Sequence, residues 1–294
     1  MAVDGGQFLQ TVVFGLVEGS VIAVGAVGLT LSYGVTRFIN FAYGEFLTYG
    51  AYLSVFVAGG LVGLSLPLPV AALVAVALVG FLGVAVSRVF FEPISSRGAL
   101  PLLITSIGVS FVLRNLLQAW VGVDARQLPV PLMRPLEVFG VRISPIDLGV
   151  VAVGVATMLA IHLLLQRTML GRKMRATSGN RSLAEVAGID TTRVVRQTWF
   201  VSAAAGGLAG ILYAALFSPF RPGVGFGYLI VIFAATLLGG IGRPYGAMLG
   251  ACLIGLAMNF GSTYLSASYT QAYAFVILVA VLLLRPEGIR GGEF

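Results

Sequence analysis

The sequence predicts an all-α, polytopic membrane protein of eight or nine transmembrane helices, with broken or re-entrant segments among them. Three observations carry that prediction. Of 294 residues, 58% are hydrophobic and only 10% charged, against roughly 25% charge in an ordinary soluble domain. Mean hydropathy is +1.00. Apolar runs of about 20 residues, the length that crosses about 30 Å of hydrocarbon, recur along the whole chain. A soluble globule, a fibre and a disordered chain are all inconsistent with these figures. Barrel strands alternate apolar and polar positions over about 10 residues, whereas the run from Val70 to Val84 is continuously apolar, so the spans are helices.

In chain order the spans fall at about 8–32, 38–60, 68–91, 99–121, 145–166, 198–217, 227–242, 245–263 and 267–284. Asp4 and no basic residue precede the first run. A cleavable signal peptide wants a positive start, so that run is expected to remain as a permanent span. The segment 167–196 carries Arg167, Arg172, Lys173, Arg175, Arg181, Arg193 and Arg196, which the positive-inside rule places in the cytoplasm. With nine crossings, Arg37, Arg88, Arg97, Arg243, Arg285 and Arg290 join them, for 13 cytoplasmic basic residues. Arg126, Arg134, Arg142 and Arg221 are outside, and Asp124 and Glu137 nearly balance the 122–144 loop. The amino terminus is then outside and the carboxyl terminus inside.

Two spans are irregular. Asn40, Tyr43, Gly44 and Glu45 interrupt the stretch 34–50, and the short stretch 227–242 ends in Gly239, Gly240, Ile241, Gly242 and then Pro244. Unwound backbone at membrane depth survives only where it is buried or lines a cavity, so a pair of such segments points to a transport site. Re-entry of 227–242 would change the crossing parity. Tyr43-Gly44-Glu45-Phe46 and Tyr245-Gly246-Ala247-Met248 are weakly alike, which suggests an internal repeat.

The inventory excludes several chemistries. A P-loop needs a Lys followed by Ser or Thr, and the only lysine, Lys173, precedes Met174. One cysteine, Cys252, and one histidine, His162, cannot build a disulfide or a Cys/His metal cluster. No cofactor or metal is expected. The net charge of +7 belongs to membrane topology rather than to nucleic-acid binding.

Glu18, Glu45, Arg114, His162 and Asn259 fall inside apolar spans. An ionised group there costs about 2.5 to 3.5 kcal/mol on insertion scales, so these side chains should face protein or water. They either line a polar pathway or tie helices together. The expected pathway residues are Asn40, Tyr43, Glu45, Thr48 and Glu18. Arg114 is a partner for Glu18 or Glu45, His162 sits close enough to the cytoplasmic end to snorkel, and Asn259 with Ser262 and Thr263 supplies interhelical hydrogen bonds. Gly15, Gly19, Gly206, Gly207 and Gly210 let helix backbones approach closely.

The segment 172–195 reads as more than a charged connector. Ser182 is a good N-cap, with Glu185 as a capping-box partner and Gly188 as a stop. A short helix there exposes Leu183, Val186 and Ala187, an apolar face that needs a covering partner. The competing reading is a solvated basic loop that only orients the protein.

The run Gly-Leu-Thr-Leu-Ser-Tyr-Gly-Val-Thr-Arg-Phe-Ile-Asn-Phe-Ala-Tyr-Gly-Glu-Phe at 28–46, followed by Gly50-Ala51-Tyr52, resembles the signature of the H-type branched-chain amino-acid ABC transporter permeases. That family usually reads Asn-Phe-Ala-His-Gly-Glu, and here Tyr43 stands in place of the His. Glu18 is likewise not expected of the family. The similarity continues through Arg175-Ala176, Asn180, Ala184, Gly188-Ile189, Leu238 to Gly242, Gly246, Gly250 and the closing Arg285-Pro286-Glu287-Gly288. It covers nearly the whole chain, which makes 1–294 one permease domain of the cell membrane. The resemblance implies a subunit that is not itself an enzyme. Its implied partners are a second, M-type permease, two cytoplasmic ATPase subunits and an external solute-binding protein. It also implies that 175–190, with Arg175, Ala176, Asn180, Glu185, Gly188, Ile189 and Asp190, is the segment that couples to the ATPase. Relatives also import urea or short amides. The rival outside this family is a stand-alone carrier or channel using Glu45 or Glu18 as a proton or cation site.

Overall fold

The computed structural model describes residues 5–59, 66–130, 134–138 and 140–284; the closing motif 285–288 and Arg290 lie outside them. The long first helix α1, Gly5–Thr36, ends at Arg37, whose φ of 59° is uncommon for a residue with a side chain. Residues 38–42 are not helical, and α2 begins only at Tyr43 and runs to Ala58. Helix α3, Leu68–Val86, continues through a π-turn, Ser87–Phe91, into a 3-10 helix, Glu92–Arg97. Then come α4, Ala99–Val121, and a small antiparallel hairpin of β1, Leu136–Val138, and β2, Val141–Ile143. Helix α5, Pro145–Arg167, opens on a capping box in which Ser144 and Asp147 satisfy each other's turn.

The second half contains α6, Met169–Gly179; α7, Arg181–Val186; α8, Thr191–Leu216; α9, Val224–Gly239; α10, Pro244–Tyr264; and α11, Thr270–Leu284. No helix is expected from the sequence over 167–181, yet most of it is the amphipathic helix α6. Its buried Gly171, Met174 and Thr177 recur at helical spacing between exposed charges, a pattern a search for long apolar runs passes over. The hairpin was also unanticipated.

Hydrogen bonds fix the two faces of the bundle. At one end of α1, Gln10 Nε2 donates to the Arg142 carbonyl and its Oε1 accepts from the Arg142 N–H, both at 2.8 Å, beside the hairpin. At the other end Ser178 Oγ of α6 donates to the Gly34 carbonyl at 2.7 Å. Followed from there, the described chain passes nine times between the hairpin face and the α6 face. Among the described residues, seven helical stretches are long and apolar enough to cross a membrane, α3 counted with its π and 3-10 continuation and α11 with the 3-10 turn Ala267–Tyr269 before it. Helices α2 and α9, with 16 residues each, are only about 24 Å long, and the non-helical segments 37–42 and 217–223 complete their passes. The stretch 227–242 therefore traverses rather than re-enters. Phe220 and Arg126 pair backbone to backbone at the hairpin face, while Gly239 at the other end of α9 packs on Gly246.

Helix α2 is the centre of the bundle, enclosed by α3, α4, α8 and α9, and its Tyr43, Phe46, Leu47 and Tyr52 are fully buried. Near the α6 face Phe38, Phe91 and Trp199 form an aromatic cluster with centroids 5.0 to 6.4 Å apart. It fills the space left where the chain unwinds before α2. The outer helices expose large apolar side chains such as Leu73, Phe81, Ile104, Phe111, Leu159 and Leu283. Lipid serves as solvent for such a surface, and water does not.

Candidate functional site where two short helices meet

The amino-terminal turns of α2 and α9 meet inside the bundle. Gly44 and Gly225 lie backbone against backbone, so that a Cβ built on either would run into the other's carbonyl oxygen. The Gly225 N–H donates to Thr48 Oγ1 at 3.1 Å. Each helix brings the positive end of its dipole to this point. The alike tetrapeptides 43–46 and 245–248 each open a helix, α2 and α10, while the first turn of α2 packs on α9. Backbone proximity of this kind leaves no local sequence signature.

Glu45, in the first turn of α2, has no exposed surface. Its Oε1 accepts from Ser110 Oγ at 2.9 Å, Arg114 Nη2 at 2.7 Å and Arg114 Nε at 3.2 Å, both partners lying on α4. Arg114 thus takes Glu45, not Glu18, as its counter-ion. Its guanidinium is one-fifth exposed and stacks over Phe226 of α9, 4.7 Å from the ring centroid. Glu45 Oε2 and Asn40 Nδ2 are buried without a hydrogen-bond partner among the described residues. The site therefore offers one free acceptor, one free donor and a partly accessible cation where two helix dipoles converge.

The other expected residues are distributed unequally. Asn40 Oδ1 accepts the Ala42 N–H at 3.0 Å and so shapes the turn into α2. Tyr43 donates its hydroxyl to the Gly25 carbonyl at 2.8 Å, pinning α2 to α1. Asn40, Tyr43, Glu45 and Thr48 are brought together, and Glu18 lies on the side of Tyr213 and Tyr228, the latter one turn after Gly225 on α9. It lies roughly 10 Å further along α1 from Gly25, where its Oε2 accepts from Asn259 Nδ2 at 2.6 Å. Asn259 thus bridges helices as its position suggested. His162 is exposed, and its Nδ1 is 2.7 Å from the hydroxyl of Tyr245 in the first turn of α10, at the α6 face. Ser110, Gly225 and Phe226 were missed. Only Ser110 had a readable signal, one turn before Arg114 on the same helix.

The segment between α5 and α8 forms a second feature, at the α6 face. Helix α7 is capped by Asn180, not Ser182: Asn180 Oδ1 accepts the Leu183 N–H at 3.0 Å. Both residue types cap well, so the sequence alone did not separate them. Glu185 makes no capping box. Its Oε1 accepts from Thr191 Oγ1 at 2.6 Å and Arg181 Nε at 3.2 Å, and these bonds hold its carboxyl below the usual carboxylate range. Gly188 ends the turn with φ of 81°, and Asp190 caps α8 by accepting the Arg193 N–H at 3.0 Å. Leu183 is 65% exposed and Val186 is 86% exposed, with Ala187 exposed beside them. Arg175 donates to the Leu165 carbonyl, Ala176 faces outward and Ile189 is half-buried.

A bundle with short helices converging at its centre and an uncovered apolar turn at one face is the setting for the comparison with known proteins. The model of the branched-chain amino acid transport system / permease component family matches residues 11–284. The chain belongs to this family. It is 33% identical over 298 residues to the high-affinity branched-chain amino acid transport system permease protein BraD of Pseudomonas aeruginosa, covering 97% of this chain and 96% of that one. It is 32% identical over 296 residues to the corresponding permease LivH of Escherichia coli, with the same coverage. The ribose import permease protein RbsC of Escherichia coli is 30% identical over 295 residues, covering 91% of this chain and 83% of RbsC. No solved structure matches. This branched-chain permease family member is a multi-pass protein of the cell membrane. Likeness to a ribose permease means that the shared fold does not by itself name the solute.

Proposed function

We propose that this permease is one half of the membrane gate of an ABC importer and carries branched-chain or related aliphatic amino acids. In this reading it pairs with a second permease, receives solute from an external binding protein and is driven by two cytoplasmic ATPase subunits. The observation that carries it is the α6–α7 face: a basic surface bearing Leu183 and Val186 exposed beside Arg181 and Glu185, on a chain whose one lysine is not in a P-loop. Such a face suits an ATPase groove that supplies both apolar cover and counter-charge.

Coupling then follows contacts on α6. Ser178 and Arg37 tie α6 to the end of α1. Residues 37–42 lead from there to Asn40, Glu45 and the Gly44–Gly225 contact. Closing of the ATPase pair on ATP shifts α6–α7, and α1 passes the displacement to the junction of the two short helices. ATP acts only through its differential affinity for the two arrangements. At the junction, Arg114 with the two helix dipoles favours a carboxylate, and Glu45 Oε2 offers an acceptor to an ammonium group. This matches the two ends of an amino-acid zwitterion.

The test is leucine uptake into proteoliposomes containing this chain, the second permease, the ATPases and the binding protein. ATP-dependent uptake that disappears in E45Q and in G188V supports the reading. Uptake of urea or a pentose in place of leucine would replace the solute while keeping the machine.

A further inference from the structure

A cavity of about 590 Å³ opens among α1, α5, α6 and α10 at the α6 face, apart from the junction of α2 and α9. Its wall is divided in character. Leu31, Val35, Leu165 and Met174 give it apolar lining, Arg37, Arg175 and Arg243 give it basic lining, and no Asp or Glu lines it. Arg37 and Arg175 each donate to a backbone carbonyl, of Ser178 and Leu165 respectively, which fixes their heads. A guanidinium has five N–H donors, so further donors remain. Thr30 also borders the cavity, fully buried, and its Oγ1 has no hydrogen-bond partner among the described residues. Tyr245 and Gly246 belong to the first turn of α10, where backbone amides lack helical acceptors and the dipole is positive.

We propose that this cavity holds the phosphate headgroup of an anionic membrane phospholipid. The cationic end takes the phosphodiester, the Thr30 hydroxyl donates to one of its oxygens, and the apolar wall receives the glycerol and the start of the acyl chains. A volume of this size exceeds what a bare phosphate fills and falls within the range of small-ligand sites. A free soluble anion would have no use for the apolar wall. The location also fits: basic pockets between helices at the arginine-rich face meet the leaflet in which anionic lipids concentrate. Because Arg175, Ser178 and Gly179 of α6 line the same cavity, a bound headgroup would brace α6 against α1. The proposal is independent of the transported solute.

The experiment is a native mass-spectrometric titration of the purified full-length chain in neutral detergent. The probes are phosphatidylglycerol, phosphatidylcholine with the same acyl chains, and sn-glycerol 1-phosphate. Phosphatidylglycerol is expected to bind about tenfold more tightly than phosphatidylcholine, and R243Q to reduce that binding about fivefold. T30V should weaken both lipids, because the hydroxyl meets the phosphodiester they share, whereas R243Q should weaken phosphatidylglycerol more than phosphatidylcholine. Equal binding of the two lipids, or phosphatidylglycerol binding unaltered in both variants, overturns the proposal. Competition by glycerol 1-phosphate at the lipid's own concentration overturns it in favour of a soluble anion. Should a variant fail to fold, photo-crosslinking of headgroup-tagged phosphatidylglycerol to the wild-type chain decides. Labels on the amino-terminal turn of α10 and on α6 support the site, and labels confined to the outer faces of α4 and α11 contradict it.

Discussion

Thr48 and Gly225 join the two short helices of the bundle: the Gly225 N–H donates to Thr48 Oγ1 at 3.1 Å where Gly44 and Gly225 touch backbone to backbone. Neither residue is replaceable without consequence for the other. The hydroxyl supplies the acceptor that the first turn of α9 lacks, and glycine lets the donor come close enough to use it.

Thr48→Val keeps the shape and deletes the acceptor, leaving a buried N–H unpaired. The expected loss is about 1 to 3 kcal/mol, read as a lower unfolding temperature in detergent, with Thr48→Ser restoring most of it. Gly225→Val should be worse, because its side chain meets both the Gly44 carbonyl and Thr48 Oγ1. If Gly225→Val unfolds at the wild-type temperature, the packing described for this junction is wrong.

Glu45 and Arg114 should behave as a unit. Removing one partner of a buried ion pair strands the other, at about 3 to 5 kcal/mol, so E45Q and R114Q should each impair stability and uptake. The double variant E45Q/R114Q should lose less stability than the two single losses combined. Strict additivity in thermal unfolding would show that the pair is not coupled.

Glu18 is predicted to act as a helix clamp. Glu18→Gln retains an oxygen for Asn259 Nδ2, and its uptake should stay within about twofold of wild type, as expected when one hydrogen bond worth about 1 kcal/mol or less is perturbed. A proton- or cation-coupled pathway through this position predicts near-complete loss instead.

At the α6 face, replacing Gly188 by Val forces a β-branched side chain into a left-handed turn with φ of 81°, a cost on the order of 1 to 3 kcal/mol that should displace α7 locally. G188V, and the pair E185A and R175A, should abolish uptake and solute-stimulated ATP hydrolysis while membrane insertion is unchanged. Normal stimulation of ATP hydrolysis would remove this segment from the coupling role.

Much of this architecture is legible in the sequence because lipid imposes long, continuous apolar runs that need no tertiary information to recognise. The interruptions at Asn40–Glu45 and Gly239–Pro244 were legible for the same reason, since polar groups and glycines inside such runs demand protein cover. What was not legible depended on contacts between distant segments. Nothing near Gly44 names Gly225, and nothing near Glu45 decides between Arg114 and any other cation. Helix α6 escaped because its apolar face is only a narrow stripe between charges, and Asn180 and Ser182 are both good caps that no local signal separates.

The central claim is that this chain is a gate worked from its basic face and has no drive of its own. Leucine uptake should be measured in proteoliposomes holding the two permeases, with and without the ATPase subunits. The account predicts no accumulation until the ATPases, ATP and binding protein are present together. Accumulation driven by an ion gradient with this chain alone would contradict it.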